Sequence, residues 1–232
     1  MIERKSTGIA KLDELVEGGF KNNTINMVEG DAGSGKSTFA VHYLLAGFKA
    51  GEKAIYMSVE ESQKSFFDNM SRFNFNLQEY ERQGSLIFYE CNAQKLRDFV
   101  EKGVIGIEDK IAENDVKRLV IDSISAFALL YEGEAKQRIA VQRLFEKIKN
   151  WGITTLIIAE ASHDYNQFGL QYLVDGWIKL TYKKTGQERI RTIEVLKMRG
   201  TKHKATEMVY RIEDNGISIY PSERIFEYGA QQ

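Results

Sequence analysis

The sequence predicts an α/β fold, in which a mainly parallel central sheet is flanked by helices and carries antiparallel strands near its C-terminal end. Short apolar runs typical of buried strands alternate with helix-like segments, and a glycine-rich loop lies between one such run and a helix. Most runs lack the polar alternation of a half-exposed strand, as parallel strands covered on both faces do. The five runs span residues 24–28, 54–59, 86–89, 119–121 and 155–159.

The clearest helix is predicted over residues 134–151. Its apolar residues recur from Val141 to Ile148 at the spacing of one helical face, and Gly152 follows its end. Because such helices separate the apolar runs, the runs are expected to pair in parallel through right-handed crossovers.

Beyond Gly176 the pattern changes to strands joined by short turns. The turn at Asp214-Asn215-Gly216 is a strong hairpin signal, since Asn-Gly lies there beside β-branched residues. We therefore expect antiparallel strands that extend the parallel sheet. They are predicted within residues 177–182, 189–197 and 208–220.

The composition is that of an ordinary globular protein. Of the 232 residues, 43% are hydrophobic and 28% charged, and the formal net charge of −1 gives no indication of a polyanionic partner. A lone cysteine, Cys91, excludes an intramolecular disulfide and a zinc site built from cysteines. We expect a cytoplasmic protein without membrane insertion, since no apolar run approaches the ~20 residues that span a bilayer. No linker interrupts the sequence, so a single domain over residues 1–232 is predicted.

A phosphate-binding loop is predicted between the first apolar run and a helix that begins near Lys36. Its glycines let successive backbone N–H groups point at phosphate oxygens, and the helix adds the positive end of its dipole. Lys36 can reach the β- and γ-phosphates, and the Ser37 hydroxyl can ligate Mg²⁺. The alternative, a glycine-rich turn that matches by chance, is disfavoured by the strand and helix on either side. The residues predicted to bind nucleotide are Gly30, Asp31, Ala32, Gly33, Ser34, Gly35, Lys36, Ser37 and Thr38.

A second phosphate element is expected as an acid at the end of a buried strand. Apolar residues 119–121 lead to Asp122, which would lie at the carboxyl edge of the sheet, where ligands bind in open α/β folds. There it would hold Mg²⁺, usually through water, together with Ser37. The alternative is that Asp122 caps the following helix.

Hydrolysis needs a group that orients or deprotonates water, and Glu60 and Glu61 end another buried run. Side chains alternate along a strand, so the two carboxylates would point apart unless the strand ends before them. Glu60 is the predicted catalytic base and Glu61 a second candidate. The alternative is that one or both cap the helix from Ser62, where negative charge complements the helix dipole.

The order of the motifs resembles that of the KaiC-type ATPases of the RecA/RadA superfamily, and the resemblance covers nearly the whole chain. The phosphate loop alone is unspecific, whereas its combination with the late basic segment is specific. The resemblance implies a single-domain KaiC-like protein with a RecA-like P-loop core, which binds ATP or ADP with Mg²⁺. The motifs are Thr7-Gly8-Ile9 with Leu12-Asp13, Leu15 and Gly18-Gly19, the phosphate loop, Ser58-Val59-Glu60-Glu61, Val120-Ile121-Asp122-Ser123, and Lys197-Met198-Arg199-Gly200-Thr201 with His203.

In KaiC proteins ATP lies between neighbouring subunits of a hexameric ring, so the resemblance implies a homo-oligomer of this kind. It also implies that Lys197 and Arg199 approach the γ-phosphate of the neighbour's ATP, with His203 nearby. A cation at that place stabilises the charge on the phosphoryl oxygens in the transition state. The alternative is a solvated basic turn.

Two departures from the clock protein of this family bear on function. That protein has two such domains in tandem, and its phosphorylated Ser-Thr pair precedes the aspartate that corresponds to Asp175. Gln171 and Tyr172 occupy those positions here, so neither a clock role nor Ser/Thr autokinase activity is implied. Glu160 stands where RecA proteins typically carry a glutamine that senses the γ-phosphate, and it either senses nucleotide differently or is structural.

Three functions are open at the level of sequence. The first is a ring-forming regulatory ATPase whose nucleotide state controls assembly or an unidentified protein client. The second is a RecA/RadA-like protein that acts on single-stranded DNA. Residues 162–172, which would face DNA, contain no Lys or Arg for phosphates, although Tyr165, Phe168 and Tyr172 could stack on bases. The third is a nucleotide-dependent assembly factor with little turnover, resembling the archaellum accessory ATPase.

Overall fold

The computed structural model describes residues 3–103, 106–161 and 169–221 and has the predicted α/β architecture. In these ranges, no helix is both long enough and apolar enough to cross a membrane. The strands are β1 (Arg4–Lys5), β2 (Phe20–Lys21), β3 (Ile25–Gly30), β4 (Lys53–Ser58), β5 (Leu86–Glu90), β6 (Val116–Asp122), β7 (Thr154–Glu160), β8 (Gly176–Thr185), β9 (Glu188–Met198), β10 (Met208–Glu213) and β11 (Gly216–Tyr220). The helices are α1 (Ala10–Leu15), α2 (Lys36–Lys49), α3 (Gln63–Met70), α4 (Leu77–Arg82), α5 (Ala93–Lys102), α6 (Ile107–Asn114), α7 (Ile124–Ala128), α8 (Glu134–Asn150) and α9 (Leu170–Leu173).

The central sheet has the strand order β11-β10-β9-β8-β3-β7-β6-β4-β5. Neighbours from β5 to β8 are parallel, whereas the three remaining pairs are antiparallel. The prediction of a parallel core with antiparallel strands near the C-terminal end is thereby confirmed. Strand β8 was expected to be antiparallel, but it runs parallel to β3. The reason is that the chain crosses back to the amino-terminal edge of the sheet before β8 begins. The antiparallel extension begins at β9.

Apolar side chains pack against both faces of the parallel strands. Along β4, Tyr56 packs in the cluster that contains α2 and α3, whereas Ile55 and Met57 pack in the cluster that contains α5 to α8. Strand β3, which is separated from β4 by β7 and β6, divides its Met27 and Val28 between the two clusters in the same way. Because each face meets a helical layer, successive residues are all apolar, which explains the lack of polar alternation in the sequence.

Helix α2 is held by segments from both early and late parts of the chain. Gly8 lies so close to α2 that a Cβ atom would be 2.1 Å from the carbonyl oxygen of His42. The Nε2 atom of His42 accepts a hydrogen bond from the backbone N–H of Ile217 in β11, at 2.8 Å. Burial lowers the pKa of His42 to about 4, although its hydrogen bond to the Gly8 backbone acts in the opposite direction. The helix that follows the phosphate loop is therefore fixed to the β10–β11 hairpin through this neutral imidazole.

Candidate nucleotide site

Four parallel strands end together at one edge of the sheet and gather most of the predicted site there. Gly30 at the end of β3 pairs in register with Glu160 of β7, and Ser58 of β4 pairs with Asp122 of β6. The phosphate loop follows Gly30 directly, and Glu60 lies two residues beyond Ser58. This is the carboxyl edge, where open α/β sheets bind ligands.

Two glycines of the loop are required by its geometry. A Cβ atom on Gly30 would lie 2.5 Å from the Ser34 Oγ atom and 2.7 Å from the carbonyl oxygen of Leu180, so the loop could not fold back over β3 with any side chain there. Gly35 precedes the first turn of α2 in the left-handed region, at φ +86°. A glycine adopts that conformation without the steric cost of a Cβ atom.

Strands β8 and β9 hold the loop from outside. The Oδ2 atom of Asp31 accepts a hydrogen bond from the Tyr182 N–H at 2.9 Å. Arg191 donates from Nε to the carbonyl oxygen of Gly33 at 3.0 Å, and its guanidinium lies 4.2 Å from the centroid of the Tyr182 ring. Nothing in the sequence marks Tyr182 or Arg191, because both are more than a hundred residues from the loop and belong to no phosphate motif.

Ser34 lies at the base of the loop. Its backbone carbonyl oxygen accepts a hydrogen bond from the Tyr210 hydroxyl of β10. Its own Oγ atom is buried and has no hydrogen-bond partner within the described ranges. A buried hydroxyl without a partner costs free energy, and a phosphate-bearing ligand in the loop could provide an acceptor for it.

Lys36 and Ser37 begin α2 and face the strand ends. The Lys36 ammonium donates to the carbonyl oxygens of Gly30 and Asp31, at 2.9 and 3.0 Å, and so lies across the loop. The Ser37 hydroxyl donates to Asp122 Oδ2 at 2.9 Å. These contacts place a cation, a hydroxyl and a helix N-terminus together, which is the chemistry that binds a polyphosphate.

Asp122 ends β6 and is half-buried. Its Oδ2 atom accepts a second hydrogen bond, from the hydroxyl of Tyr56 in β4. Burial raises the pKa of Asp122, and the hydrogen bonds from Tyr56 and Ser37 partly offset that rise. Hydroxyl and carboxylate oxygens are the hard donors that Mg²⁺ prefers, so Ser37 and Asp122 fit the predicted metal. Nothing in the sequence marks Tyr56, whose hydroxyl reaches Asp122 only because β4 and β6 are neighbours.

The two adjacent glutamates differ in their surroundings. Strand β4 ends at Ser58, before both of them, and Glu60 is exposed and accepts a hydrogen bond from the Ser123 hydroxyl at 3.3 Å. The Oε1 atom of Glu61 instead accepts from Ser65 Oγ and Asn69 Nδ2 of α3, both at 2.7 Å. Glu60 therefore lies against the residue that follows Asp122, whereas Glu61 is engaged by α3.

The cap of α3 is a serine and not a glutamate. Ser62 precedes the helix in an extended conformation, and its side chain accepts a hydrogen bond from the Ser65 N–H. Glu61 also binds side chains of the first two turns, where negative charge complements the helix dipole. The capping role considered from the sequence thus has a structural counterpart for Glu61. Glu60 instead contacts Ser123, the residue that follows β6.

Lys197 lies at the opposite edge of the sheet from the phosphate loop. It pairs with Trp177 near the start of β8, whereas Leu180, further along β8, pairs with Gly30. Its ammonium donates to the carbonyl oxygens of Gln171 and Val174, at 2.8 and 2.7 Å. Burial is the main cause that lowers the pKa of Lys197. Within one chain, Lys197 is therefore engaged with the backbone around α9 and does not reach the loop.

Arg199 lies beside Lys197 at the same edge. One guanidinium nitrogen is 3.4 Å from Asp175 Oδ1, and another donates to the carbonyl oxygen of Tyr172 at 3.2 Å. The side chain is nevertheless 54% exposed, so a second molecule could contact it. His203 follows in the same turn region, with Nδ1 3.4 Å from the carbonyl oxygen of Thr201.

Glu160 ends β7 at the carboxyl edge of the sheet, the edge that carries the phosphate loop. The side chain of Glu160 is exposed beside Gly30, and its backbone N–H donates to Ser125 Oγ at 3.0 Å. Residues 162–168, which include Tyr165 and Phe168, lie outside the described ranges. Tyr172 is described and exposed, and the Arg138 guanidinium of α8 lies 5.6 Å from its ring centroid. Arg138 thus supplies a cation beside Tyr172, although residues 162–172 themselves contain no Lys or Arg.

The fold and the loop together define a nucleotide-binding P-loop protein with a RecA-like core. A family model described as "ATPase: KaiC" matches residues 5–224. The chain therefore belongs to the KaiC family of ATPases.

Sequence and structure similarity to individual proteins is consistent with this family. A UPF0273 protein of Thermotoga maritima is 30% identical, over 96% of this chain and 98% of its own length. The circadian clock oscillator protein KaiC of Parasynechococcus marenigrum is 31% identical over 95% of this chain, which spans only 45% of that protein. The crystal structure of a KaiC-like protein from Pyrococcus horikoshii superimposes with a TM-score of 0.84 at 30% identity, covering 95% of this chain and 100% of that one.

Proposed function

We propose that this protein hydrolyses ATP in a Mg²⁺-dependent reaction, at sites that form between neighbouring copies of the chain in a ring. One observation carries the proposal. The phosphate loop, Ser37, Asp122 and Glu60 gather at one edge of the sheet, while Lys197 and Arg199 lie at the other edge. A site that uses both sets needs two copies of the chain.

In the proposed site the loop N–H groups and Lys36 bind the phosphates. Ser37 and Asp122 would hold Mg²⁺, which neutralises phosphate charge. Glu60 is the group assigned to orient and deprotonate the attacking water, because its carboxylate is exposed and lies near the end of β6. Glu61 is the second candidate, and its contacts with α3 favour a supporting role.

Lys197 and Arg199 would act on the neighbour's ATP. Both make hydrogen bonds to backbone carbonyl groups at the edge of their own sheet, which fixes where the cations are presented. A cation supplied in trans is worth roughly a thousandfold or more in phosphoryl-transfer rate. Hydrolysis is therefore expected to depend on assembly. His203 belongs to the same turn region and is assigned to the same interface.

We also propose that residues 1–232 form one domain. A nine-stranded sheet supports this, because it takes strands from the N-terminal, middle and C-terminal thirds of the described ranges. The nucleotide state of the ring would regulate assembly or a protein client, whose identity no residue specifies.

Light scattering coupled to size-exclusion chromatography tests the assembly, with and without ATP and Mg²⁺, on the wild type and Lys36→Ala. We expect a ring for the wild type with ATP, and a loss of the ATP response in Lys36→Ala. A wild type that stays monomeric with ATP would contradict the two-copy site.

Turnover of ATP by assembled wild type and by Glu60→Gln tests the reaction. We expect assembled Glu60→Gln to bind ATP and to lose nearly all turnover. Undetectable turnover by the assembled wild type would instead favour the nucleotide-dependent assembly factor.

Action on single-stranded DNA is a second candidate, favoured by one observation. Exposed Tyr172 and the Arg138 guanidinium beside it combine an aromatic face with a cation, and both groups bind single strands. A salt titration of single-stranded DNA binding tests this candidate, because phosphate contacts weaken steeply as salt rises. Lack of binding at low salt would exclude it.

A further inference from the structure

The hydroxyl of Tyr56 lies deep in the protein, at the boundary between the core and the nucleotide site. The side chain is 1% exposed, and its ring packs against Phe66 and Phe88 with centroid distances of 4.3 and 5.5 Å. The hydroxyl extends from this aromatic cluster to Asp122 Oδ2. A phenylalanine ring would pack in the same place, so apolar packing alone does not account for the hydroxyl.

The hydrogen bond from Tyr56 reaches the same carboxylate oxygen as the one from Ser37. Two donors on Oδ2 fix the rotation of the Asp122 carboxylate. The Ser37 hydroxyl uses its proton in this bond, so an oxygen lone pair remains for a metal ion. Tyr56 and Ser37 thus set the geometry of the pair of residues that fit Mg²⁺.

We propose that Tyr56 is a positioning residue for the magnesium site, which acts by orienting Asp122. The inference rests on the proposed function in one respect, since it takes Asp122 and Ser37 as the residues that hold Mg²⁺. Hydrogen-bond partners of metal ligands fix ligand orientation, and their removal typically lowers metal affinity or activity by about 10- to 100-fold. The effect of Tyr56 should therefore appear in the Mg²⁺ requirement.

Tyr43 offers a matched control. It is a fully buried tyrosine of α2, in the same apolar cluster as Tyr56, and its hydroxyl donates to the carbonyl oxygen of Thr154 at 2.9 Å. That acceptor lies at the start of β7, at the amino-terminal edge of the sheet. Tyr43→Phe and Tyr56→Phe thus remove the same buried hydroxyl from the same kind of environment, and only one of them touches Asp122.

The experiment titrates Mg²⁺ against the binding of a fluorescent ATP analogue and, separately, against ATP turnover. For Tyr56→Phe we expect the Mg²⁺ concentration at half-maximal binding to rise about 10-fold or more. Tyr43→Phe should stay within about twofold of the wild type. A Tyr56→Phe protein with the wild-type Mg²⁺ requirement would overturn the proposal. If wild-type binding and turnover do not respond to Mg²⁺, the proposed function itself fails, which is a different result.

A double variant tests whether Tyr56 acts through Asp122. Asp122→Asn removes the carboxylate through which Tyr56 is proposed to act. In that background Tyr56→Phe should change the Mg²⁺ requirement by less than about twofold, since coupled residues are not additive. A further large rise would show that Tyr56 acts by another route and would refute the assignment.

Discussion

At the scale of single residues, the site depends on how closely backbone segments approach one another. A Cβ atom on Gly30 would meet both the Ser34 hydroxyl and the backbone of Leu180. The Leu180 carbonyl group belongs to a central strand and cannot move aside as a flexible side chain would. Replacement of Gly30 should therefore displace the phosphate loop itself.

We expect Gly30→Ala to abolish detectable ATP binding in equilibrium dialysis, because the added Cβ atom would lie 2.7 Å from a backbone oxygen. Gly84→Ala is the control. Gly84 has a φ of +73° and open space around it, so alanine there costs about 1 kcal/mol of stability without a clash. A Gly84→Ala protein with normal ATP binding would show that general destabilisation does not explain the loss. Normal ATP binding by Gly30→Ala would contradict the role of this close approach.

At the scale of elements, the attachment of α2 to the β10–β11 hairpin makes stability sensitive to pH. The pKa of His42 is lowered to about 4 in the folded chain, mainly by burial, against an ordinary value of 6.5. The folded state thus keeps the imidazole neutral while the unfolded state takes up a proton below pH 6.5. This contribution to stability is complete above pH 6.5 and is lost as the pH falls towards 4.

The loss should reach about 3 kcal/mol at the acidic end, since one unit of pKa corresponds to about 1.4 kcal/mol. Urea unfolding at a series of pH values between 7.5 and 4.5 measures it. His42→Gln, which cannot be protonated, should flatten the pH dependence of the free energy of unfolding. Equal slopes for wild type and His42→Gln would rule out this imidazole as the cause.

Elements were more predictable from the sequence than the contacts between them. The apolar runs predicted the parallel strands, because residues buried on both faces must be apolar whatever their partners are. The phosphate loop was equally recognisable, since its chemistry is local. Tyr56 and Arg191 were not, because their polar contacts depend on which strands become neighbours, and strand order leaves no local mark in the sequence. The direction of β8 was missed for the same reason.

At the scale of the whole molecule, the two halves of the proposed site lie on opposite edges of one sheet. Gly176 and Leu180, which mark those edges on β8, are four residues or roughly 13 Å apart along the strand. A site that joins them must use a head-to-tail interface, in which two different surfaces of the chain meet. A mixture of two variants, each altered in a different one of these surfaces, can therefore test whether the surfaces act together across the interface.

Arg199→Ala should lower turnover by about a thousandfold, as expected for a cation supplied in trans. Glu60→Gln should also be inactive alone, but each of its subunits still presents Arg199. When the two variants are mixed equally, about half of the Arg199→Ala sites gain a complete neighbour, and turnover should return to about a quarter of the wild-type value per subunit.

Arg82→Ala is the control for this experiment, because Arg82 forms an exposed ion pair within α4. It should be fully active alone and should need no partner. An inactive mixture of Arg199→Ala and Glu60→Gln, with rings of normal size, would exclude action in trans.

Because Lys197 and Arg199 lie at the edge of the sheet opposite the phosphate loop, the number of complete sites depends on whether the row of subunits is open or closed. An open row of head-to-tail copies always leaves one phosphate loop without cations at one end and one pair of cations without a loop at the other. Only closure of the row completes the last site, so the same contact that ends growth also makes the final copy active. The proposed enzyme would in this way report whether its own assembly is finished.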